Sequence, residues 1–204
     1  MARTPSGELE TRILDAAVEL LTEVGAGALT QRAVAKGANV SLQSIYNRFG
    51  SKHDLLDAVA NAGFVELTEA LRSEGGIPLA SIEDPIDNIV EGLARYRRFA
   101  IGDPRRYGVM FDADVPGFRI SDATLGTAFE SLTVLVDAVT GAIDAGRLTR
   151  DDPLIMAQMI WAAAHGVLRF ELTEVGFVAD RAAHYDRVVA TMLHGLSTPQ
   201  PAAG

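Results

Sequence analysis

The stretch TQRAVAKGANVSLQSIYNRFGSKH, residues 30–53, organises the rest of this 204-residue chain. It contains four Lys or Arg residues and no Asp or Glu, although the whole chain has a formal net charge of −9 at pH 7. A basic segment in an acidic protein indicates a surface that approaches phosphate, because counterion release favours Lys and Arg there and a carboxylate opposes it. A run of charged residues is more often only a solvated face. The spacing of the apolar residues is therefore needed to show whether this segment forms a DNA-binding structure.

The apolar spacing of this stretch predicts two short helices separated by a tight turn. Thr30 is a suitable N-cap for the first helix, and Ser41 is a suitable N-cap for the second. Residues 37–39 interrupt the pattern, and Asn39 is of a residue type that adopts the left-handed conformation at little cost. The chain is therefore expected to turn sharply at Asn39.

The second helix has one apolar face and one polar face. Its inward residues, at 3-then-4 spacing, are Leu42, Ile45 and Phe49. Its outward residues are Gln43, Ser44, Asn47 and Arg48. Two helices, a short turn and a polar face on the second helix are typical of a helix-turn-helix, whose second helix enters the major groove of DNA.

The run V-A-x-x-A-x-V-S-x-x-x-I-Y-x-x-F-x-S-K-x-x-L-L, residues 34–56, resembles the DNA-binding signature of the tetracycline-repressor (TetR) family of bacterial transcription regulators. The resemblance covers about the first quarter of the chain and departs from the family pattern at two positions. Asn39 stands where the family usually has Gly, which preserves the turn. Gln43 stands where a small residue is common, which is expected to alter the base that is read.

The resemblance implies a DNA-binding role for the outward residues. Tyr46 and Lys52 are expected to hold phosphates, and Gln43 and Asn47 suit adenine because a side-chain amide pairs with it at two points. Arg48 suits either a phosphate or a base. The full set expected at the DNA is Thr30, Arg32, Ser41, Gln43, Ser44, Tyr46, Asn47, Arg48 and Lys52.

Helices are also expected on both sides of this motif. A helix from Glu8 to Val24 precedes it and stops at Gly25, and its acidic outer face is a poor surface for phosphate. Ser51 and Asp54 form a capping box that starts a long helix reaching about residue 72. Residues 1–7 are expected to be an unstructured tail, with a minor-groove contact by Arg3 as the alternative.

The remaining chain is also expected to be helical, without strand alternation. Its helices are predicted at residues 82–101, 103–110, 122–145, 152–174 and 179–196, with a loop at 115–117. The fold class is therefore all-α, with about nine helices. The expected divisions are a three-helix helix-turn-helix domain at 1–56, a helical effector-binding and dimerisation domain at 57–196, and a disordered tail at 197–204.

The helix predicted at 152–174 is apolar on almost every side, so it needs cover on every side. A second copy of the chain is one such cover, because the alanines at 162–164 allow close approach. The resemblance implies the same arrangement, with the last two long helices of each subunit forming a four-helix homodimer interface. Two-fold symmetry then implies a palindromic operator in double-stranded DNA, with half-sites roughly 34–36 Å apart or a multiple of that.

A small apolar or amphipathic effector is implied by the resemblance, since TetR proteins commonly bind one between the middle helices. The spacing Trp161-x-x-x-His165-Gly166 is similar to a subgroup whose C-terminal domain carries a Trp and a His-Gly pair. Alternatively, the aromatic residues belong to the hydrophobic core and bind no ligand. His165 is then a partly buried residue whose ring nitrogens are hydrogen-bonded to the backbone. The candidate effector residues are Phe64, Tyr96, Phe99, Tyr107, Met110, Phe111, Phe129, Met156, Trp161 and His165.

The sequence contains no recognisable set of catalytic residues. Cysteine is absent, which excludes a thiolate nucleophile and a cysteine metal site, and the four histidines show no metal or nucleophile spacing. No enzyme activity, catalytic residue, metal or cofactor is expected. The start of the chain lacks a hydrophobic signal core, so a cytoplasmic protein without a membrane segment is expected. The alternative function is a helical ligand-binding or partner-binding protein whose helix-turn-helix has lost its affinity for DNA.

Overall fold

The computed structural model describes residues 6–112, 118–173 and 175–198, and the expected loop at 115–117 and the ends of the chain lie outside these ranges. The described part contains nine α-helices, so the predicted all-α class is confirmed. These helices are α1 (Ser6–Ala28), α2 (Gln31–Gly37), α3 (Leu42–Phe49), α4 (Lys52–Arg72), α5 (Pro85–Gly102), α6 (Pro104–Asp112), α7 (Asp122–Asp144), α8 (Pro153–Leu172) and α9 (Arg181–Leu196). A short 3-10 helix spans Leu79–Ser81.

The chain folds into two compact units. Unit 1 comprises residues 1–66 and 103–128, and unit 2 comprises residues 67–102 and 129–204. The division at residue 66 falls inside α4, as does the boundary expected at residue 56. Unit 1 therefore includes α6 and the first turns of α7 together with α1, α2 and α3, a grouping that the order of the helices along the chain does not reveal.

The core of unit 1 contains the apolar faces that the sequence predicted. Ile13, Val34, Ile45 and Leu55, from four different helices, have no exposed surface. Burial of this area removes apolar surface from water and fixes how α1, α2 and α3 are arranged. At Gly25, the predicted stop of α1, the backbone leaves the helical conformation with φ 73° and ψ 170°, so the element is kinked there before it continues to Ala28.

The turn between α2 and α3 is built around Asn39. This residue has φ 53°, so the predicted left-handed conformation is confirmed. The amide of Val40 donates to the carbonyl of Ala35 at 2.9 Å, and the amide of Asn39 donates to the carbonyl of Lys36 at 3.2 Å. This pair of bonds is a Schellman motif with asparagine in the usual glycine position.

Helices α5, α6 and α8 each begin at an Asp-Pro pair. Asp84, Asp103 and Asp152 each accept a hydrogen bond from a backbone amide of the following turn. Proline fits the first helical position because that amide has no partner within a helix. The predicted start of α5 at residue 82 is therefore three residues too early, since the helix starts at Pro85.

Residues 73–78 form a short strand pair, which the sequence did not predict. Ser73–Glu74 and Ile77–Pro78 pair as antiparallel strands β1 and β2. Gly75 and Gly76 close the turn with φ angles of 57° and 80°, a backbone conformation that side chains disfavour. Strands of two residues are too short to show an alternating pattern, which is why the sequence did not reveal them.

Helix α7 alone among the described helices has the length and apolar composition to cross a membrane. Such a helix is weak evidence for membrane insertion, because helices of soluble proteins pass the same test. Its first turns are bound through polar groups to α4. The carboxylate of Asp57 accepts hydrogen bonds from the Ser121 amide at 2.7 Å and the Thr124 hydroxyl at 2.9 Å.

Candidate DNA-binding surface and effector-domain residues

Helix α3 presents a polar face to solvent above a fully apolar one. Ile45 is completely buried and Phe49 is 7% exposed, whereas Tyr46 is 48% exposed. Gln43 and Asn47 are also exposed, and the Gln43 Nε2 donates to Asn47 Oδ1 at 2.7 Å. The two predicted amide residues therefore form a hydrogen-bonded pair along the outer face of α3.

The start of α3 is held by the two serines that were expected at the DNA. The hydroxyl oxygen of Ser41 accepts a hydrogen bond from the Ser44 amide at 3.1 Å, which confirms the predicted N-cap. The two hydroxyl oxygens also lie 2.7 Å apart, so they share a hydrogen bond. Ser44 is half-buried and committed to this cap. A base contact by Ser44 would therefore compete with the cap.

Helix α2 has a small buried face, formed by Val34 and Ala35. Thr30 caps it, since its hydroxyl accepts a hydrogen bond from the Ala33 amide at 3.1 Å. Arg32 and Lys36 are exposed on the solvent side. Helix α2 thus presents two positive charges to solvent.

The capping box at the start of α4 is confirmed in both directions. The amide of Asp54 donates to Ser51 Oγ at 3.1 Å, and the amide of Ser51 donates to Asp54 Oδ2 at 2.9 Å. Hydrogen bonds from the side chain and the amide of Ser51 hold the pKa of the Asp54 carboxyl below its usual range. Because Asp54 takes these donors, a phosphate at this turn would depend on Lys52, which is half-buried.

Arg48 makes a contact that the sequence did not reveal. Its Nε lies 3.1 Å from Oε2 of Glu10 on α1. Only 23% of the Arg48 side chain is exposed, compared with 47% for Glu10. The acidic outer face of α1, a poor surface for phosphate, thus supplies a carboxylate that braces α3.

Arg48→Ala is expected to leave the salt dependence of DNA binding unchanged, because Arg48 is committed to Glu10 rather than to a phosphate. The lost ion pair should lower the free energy of unfolding by about 0.2–1 kcal/mol, as for other partly exposed pairs. Binding titrations at several salt concentrations, with urea unfolding of the same protein, measure both quantities. A slope that falls by about one would instead assign Arg48 to a phosphate.

Four of the predicted effector residues lie in unit 1, and three of them form an aromatic cluster. The rings of Phe64 and Phe111 meet edge to face at 5.5 Å, and the rings of Tyr107 and Phe111 lie 4.8 Å apart. Tyr107 is fully buried, and Phe64 and Met110 are 5% and 6% exposed. These side chains pack α4 against α6.

The other six predicted effector residues belong to unit 2, where the structure brings three of them together. The hydroxyl of Tyr96 lies 2.8 Å from Nδ1 of His165, and the rings of His165 and Trp161 are 5.4 Å apart. The partner of His165 Nδ1 is thus a phenol. Met156 is buried, Phe99 is half-buried, and Phe129 is 49% exposed.

An ion pair next to this cluster joins α5 to α8, and the sequence did not predict it. Arg97 binds the carboxylate of Glu171 through two nitrogens, one of them Nε at 2.9 Å. The hydrogen bond to Glu171 raises the pKa of Arg97 above its usual value. The Arg97 guanidinium also lies 5.7 Å from the ring of Tyr185, whose hydroxyl donates to the carbonyl of Leu93 at 2.9 Å. Burial raises the pKa of the Tyr185 hydroxyl.

Helices α8 and α9 carry a surface with two apolar grooves. A groove of about 590 Å³ is lined by Met159 of α8 and by residues of α9, including Val188 and Met192. A second groove, of about 280 Å³, includes Phe170 and Phe177, which are 56% and 97% exposed. None of the predicted effector residues lines either groove.

Comparison with known proteins agrees with this arrangement. The family model described as bacterial regulatory proteins, tetR family, matches residues 13–59. The model described as tetracyclin repressor-like, C-terminal domain, matches residues 89–195. The first match covers α2 and α3, and the second runs from α5 to α9.

Individual relatives are more distant. An HTH-type transcriptional regulator of Mycobacterium tuberculosis is 25% identical over 148 residues, which are 71% of this chain and 62% of that protein. The HTH-type transcriptional repressor KstR of Rhodococcus jostii is 27% identical over 153 residues, which are 75% of this chain and 68% of that protein. The chain thus aligns with less than two thirds of the mycobacterial regulator.

The fold is shared with solved structures. A protein of unknown function from Rhodococcus sp. RHA1 superposes with a TM-score of 0.79 at 24% identity, covering 96% of this chain and 100% of that one. Because the C-terminal family model alone spans more than half of the chain and the N-terminal model covers the helix-turn-helix, the protein belongs to the TetR family of bacterial transcriptional regulators.

Proposed function

We propose that the protein is a dimeric, one-component transcriptional repressor that binds a palindromic operator through α3 and is released by a small apolar or amphipathic effector. The observation that carries this proposal is the outer face of α3. Gln43, Tyr46 and Asn47 are exposed there, above a buried apolar face, within a stretch that contains no carboxylate. Such a face suits the major groove of DNA, where polar side chains read base edges.

Support for the dimer comes from the apolar surface of α8 and α9. One face of α8 is buried within unit 2, whereas Ile155 and Met159, on another face, are 56% and 45% exposed. Ala162 is exposed and Ala163 is half-buried along the same stripe, so a partner helix can approach closely. A second copy that presents the same surface would cover both stripes, as two-fold symmetry requires.

Support for an effector comes from the aromatic clusters described above. Tyr96 and His165 supply hydroxyl and imidazole groups beside the Trp161 ring, which suits a mainly apolar ligand that carries a polar group. Such a ligand lowers operator affinity only if it favours a conformation in which the two recognition helices no longer fit successive grooves. A difference of about 1–3 kcal/mol between the free energies with which the effector binds the two conformations is enough for regulation.

Selection of bound fragments from random and genomic DNA tests the proposal as a whole. The expected result is an enriched palindrome with half-sites separated by about one helical turn. Repeating the selection with apolar and amphipathic compounds should identify an effector by loss of enrichment. Failure to enrich any palindrome would favour the alternative, a helical binding protein without affinity for DNA.

Lys52→Ala is expected to weaken binding to all DNA sequences to a similar degree. Lys52 belongs to the first turn of α4, where it is expected to hold a phosphate, so its loss should reduce the slope of log K against log salt by about one. Lys52→Arg, which keeps the charge, is the matched control and should preserve the slope. A variant that relaxes preference at a single base pair with an unchanged slope would contradict the phosphate role.

A further inference from the structure

The amide pair on α3 differs from two independent side chains in what it can offer to DNA. Gln43 uses one N–H of its Nε2 to bind Asn47 Oδ1 at 2.7 Å. This bond fixes how both amide groups are rotated, because one nitrogen points toward Asn47 and one oxygen points toward Gln43. The groups left for a ligand are mainly the Oε1 of Gln43, which accepts, and the Nδ2 of Asn47, which donates.

The neighbouring polar residues of α3 are engaged with the protein itself. Ser44 shares a hydrogen bond with Ser41 in the helix cap, and Arg48 is paired with Glu10 of α1. Tyr46 is exposed but carries a phenol, which suits a phosphate contact. Among the outward residues of this helix, the amide pair is therefore the group best placed to read base edges.

The amide pair is longer along the helix axis than the rise of one base pair. Residues four apart on an α-helix are separated by about 6 Å along the axis. Successive base pairs of B-DNA are about 3.4 Å apart. A helix lying along the major groove therefore does not direct both residues at one base pair. Because the hydrogen bond of 2.7 Å draws the two amide groups together, the pair can span two neighbouring base-pair positions.

We propose that Gln43 and Asn47 act as one unit that reads two neighbouring base pairs of the operator half-site. The Gln43 oxygen accepts from an exocyclic amino group, which adenine and cytosine present in the major groove. The Asn47 nitrogen donates to an acceptor, such as N7 or O6 of guanine or O4 of thymine. This inference rests on the proposed function and replaces two separate contacts with adenine by one coupled contact.

Coupling makes a specific prediction for binding-site selection with wild-type protein, Gln43→Ala, Asn47→Ala and the double variant. Each single substitution releases its partner, so each should flatten base preference at both positions and cost about 5- to 150-fold in affinity for the preferred site. If the two residues acted independently, the affinity loss of the double variant would equal the product of the two single losses. We expect the double variant to bind about 2- to 150-fold more tightly than that product predicts. Both substituted positions are on the surface, so the far-UV circular dichroism of all three variants should be unchanged.

Asn47→Asp provides a sharper control. Aspartate keeps an oxygen that accepts from Gln43 but replaces the outward N–H₂ by a second acceptor. Preference at the Gln43 position should persist, whereas preference at the Asn47 position should change toward bases with an amino group. Tyr46→Phe should lower affinity uniformly and leave both preferences intact.

Two results would overturn the inference. If each alanine variant flattens one position only and the affinity losses multiply, the two amides read DNA independently, and the proposed function survives without the coupling. If wild-type protein enriches no sequence under conditions in which it remains folded, the proposed function fails and the coupled readout fails with it.

Discussion

Replacement of Ala163 by glutamate is expected to produce monomers in analytical ultracentrifugation. Ala163 belongs to the stripe of α8 that carries Met159 and is proposed to pack against the partner subunit. A glutamate there would place an unpaired charge in an apolar interface, and the free energy needed to remove that charge from water would disfavour association. Because a dimer binds both half-sites together, loss of dimerisation should weaken operator binding by about 10²–10⁴-fold.

Ala80→Glu is the matched control for this variant. Ala80 is an exposed alanine of the same unit, in the 3-10 helix rather than on α8 or α9. The Ala80→Glu variant should remain dimeric and bind the operator as the wild-type protein does. Persistence of the dimer in the Ala163 variant, with the control behaving normally, would place the interface elsewhere on the molecule.

Ile45→Ala is expected to destabilise unit 1 and to abolish most operator binding. Ile45 has no exposed surface and joins α3 to the core that α1, α2 and α4 share. Removal of three carbon atoms from this core leaves a cavity and should cost about 2–5 kcal/mol of the free energy of unfolding. Since the packing of α3 on this core positions Gln43 and Asn47, their presentation to DNA should be lost at the same time.

Ile45→Val distinguishes packing from a specific role of the residue. This variant removes one methylene group and should cost about 0.5–1.5 kcal/mol. Urea unfolding followed by circular dichroism measures the stability of each variant, and titration with the selected operator measures binding. Equal midpoints for wild type and Ile45→Ala would show that the α3 face is held by something other than this core.

A single arginine connects the elements of unit 1 beyond the helix-turn-helix. The guanidinium of Arg106 on α6 bonds Asp15 of α1 and Glu66 of α4, each at 2.7 Å. Displacement of α6 must therefore break these ion pairs or carry α1 and α4 with it. This connection also reaches α3, because α1 holds Arg48 of α3 through Glu10.

The local structure of the DNA-binding surface was predictable from sequence because its signals are local. Thr30, Ser41 and Ser51 are caps whose partners lie three residues away, so their roles are visible in a short window. Asn39 has a backbone preference that needs no tertiary contact. The helical spacing of Ile45 and Phe49 is also local, and both residues are buried as predicted.

Pairing between distant residues was not predictable from sequence. Glu10 and Arg48 are 38 residues apart, and Arg97 and Glu171 are 74 residues apart. Any of the chain's 27 acidic residues is a chemically suitable partner for an arginine, so composition cannot select one. The two-residue strands at 73–78 were not predictable for a related reason. Their register depends on the turn between them and not on an alternation of apolar and polar residues.

The sequence by itself determined that this protein is helical, where its helix-turn-helix lies and which residues face outward on α3, because periodicity and capping are properties of neighbouring residues. Only the tertiary structure decided which of those outward residues remain available for DNA. Folding brings Glu10 of α1 to Arg48, whereas the bond between Gln43 and Asn47 forms within α3 itself. A partner that is distant in the sequence comes within bonding distance only once the helices have packed.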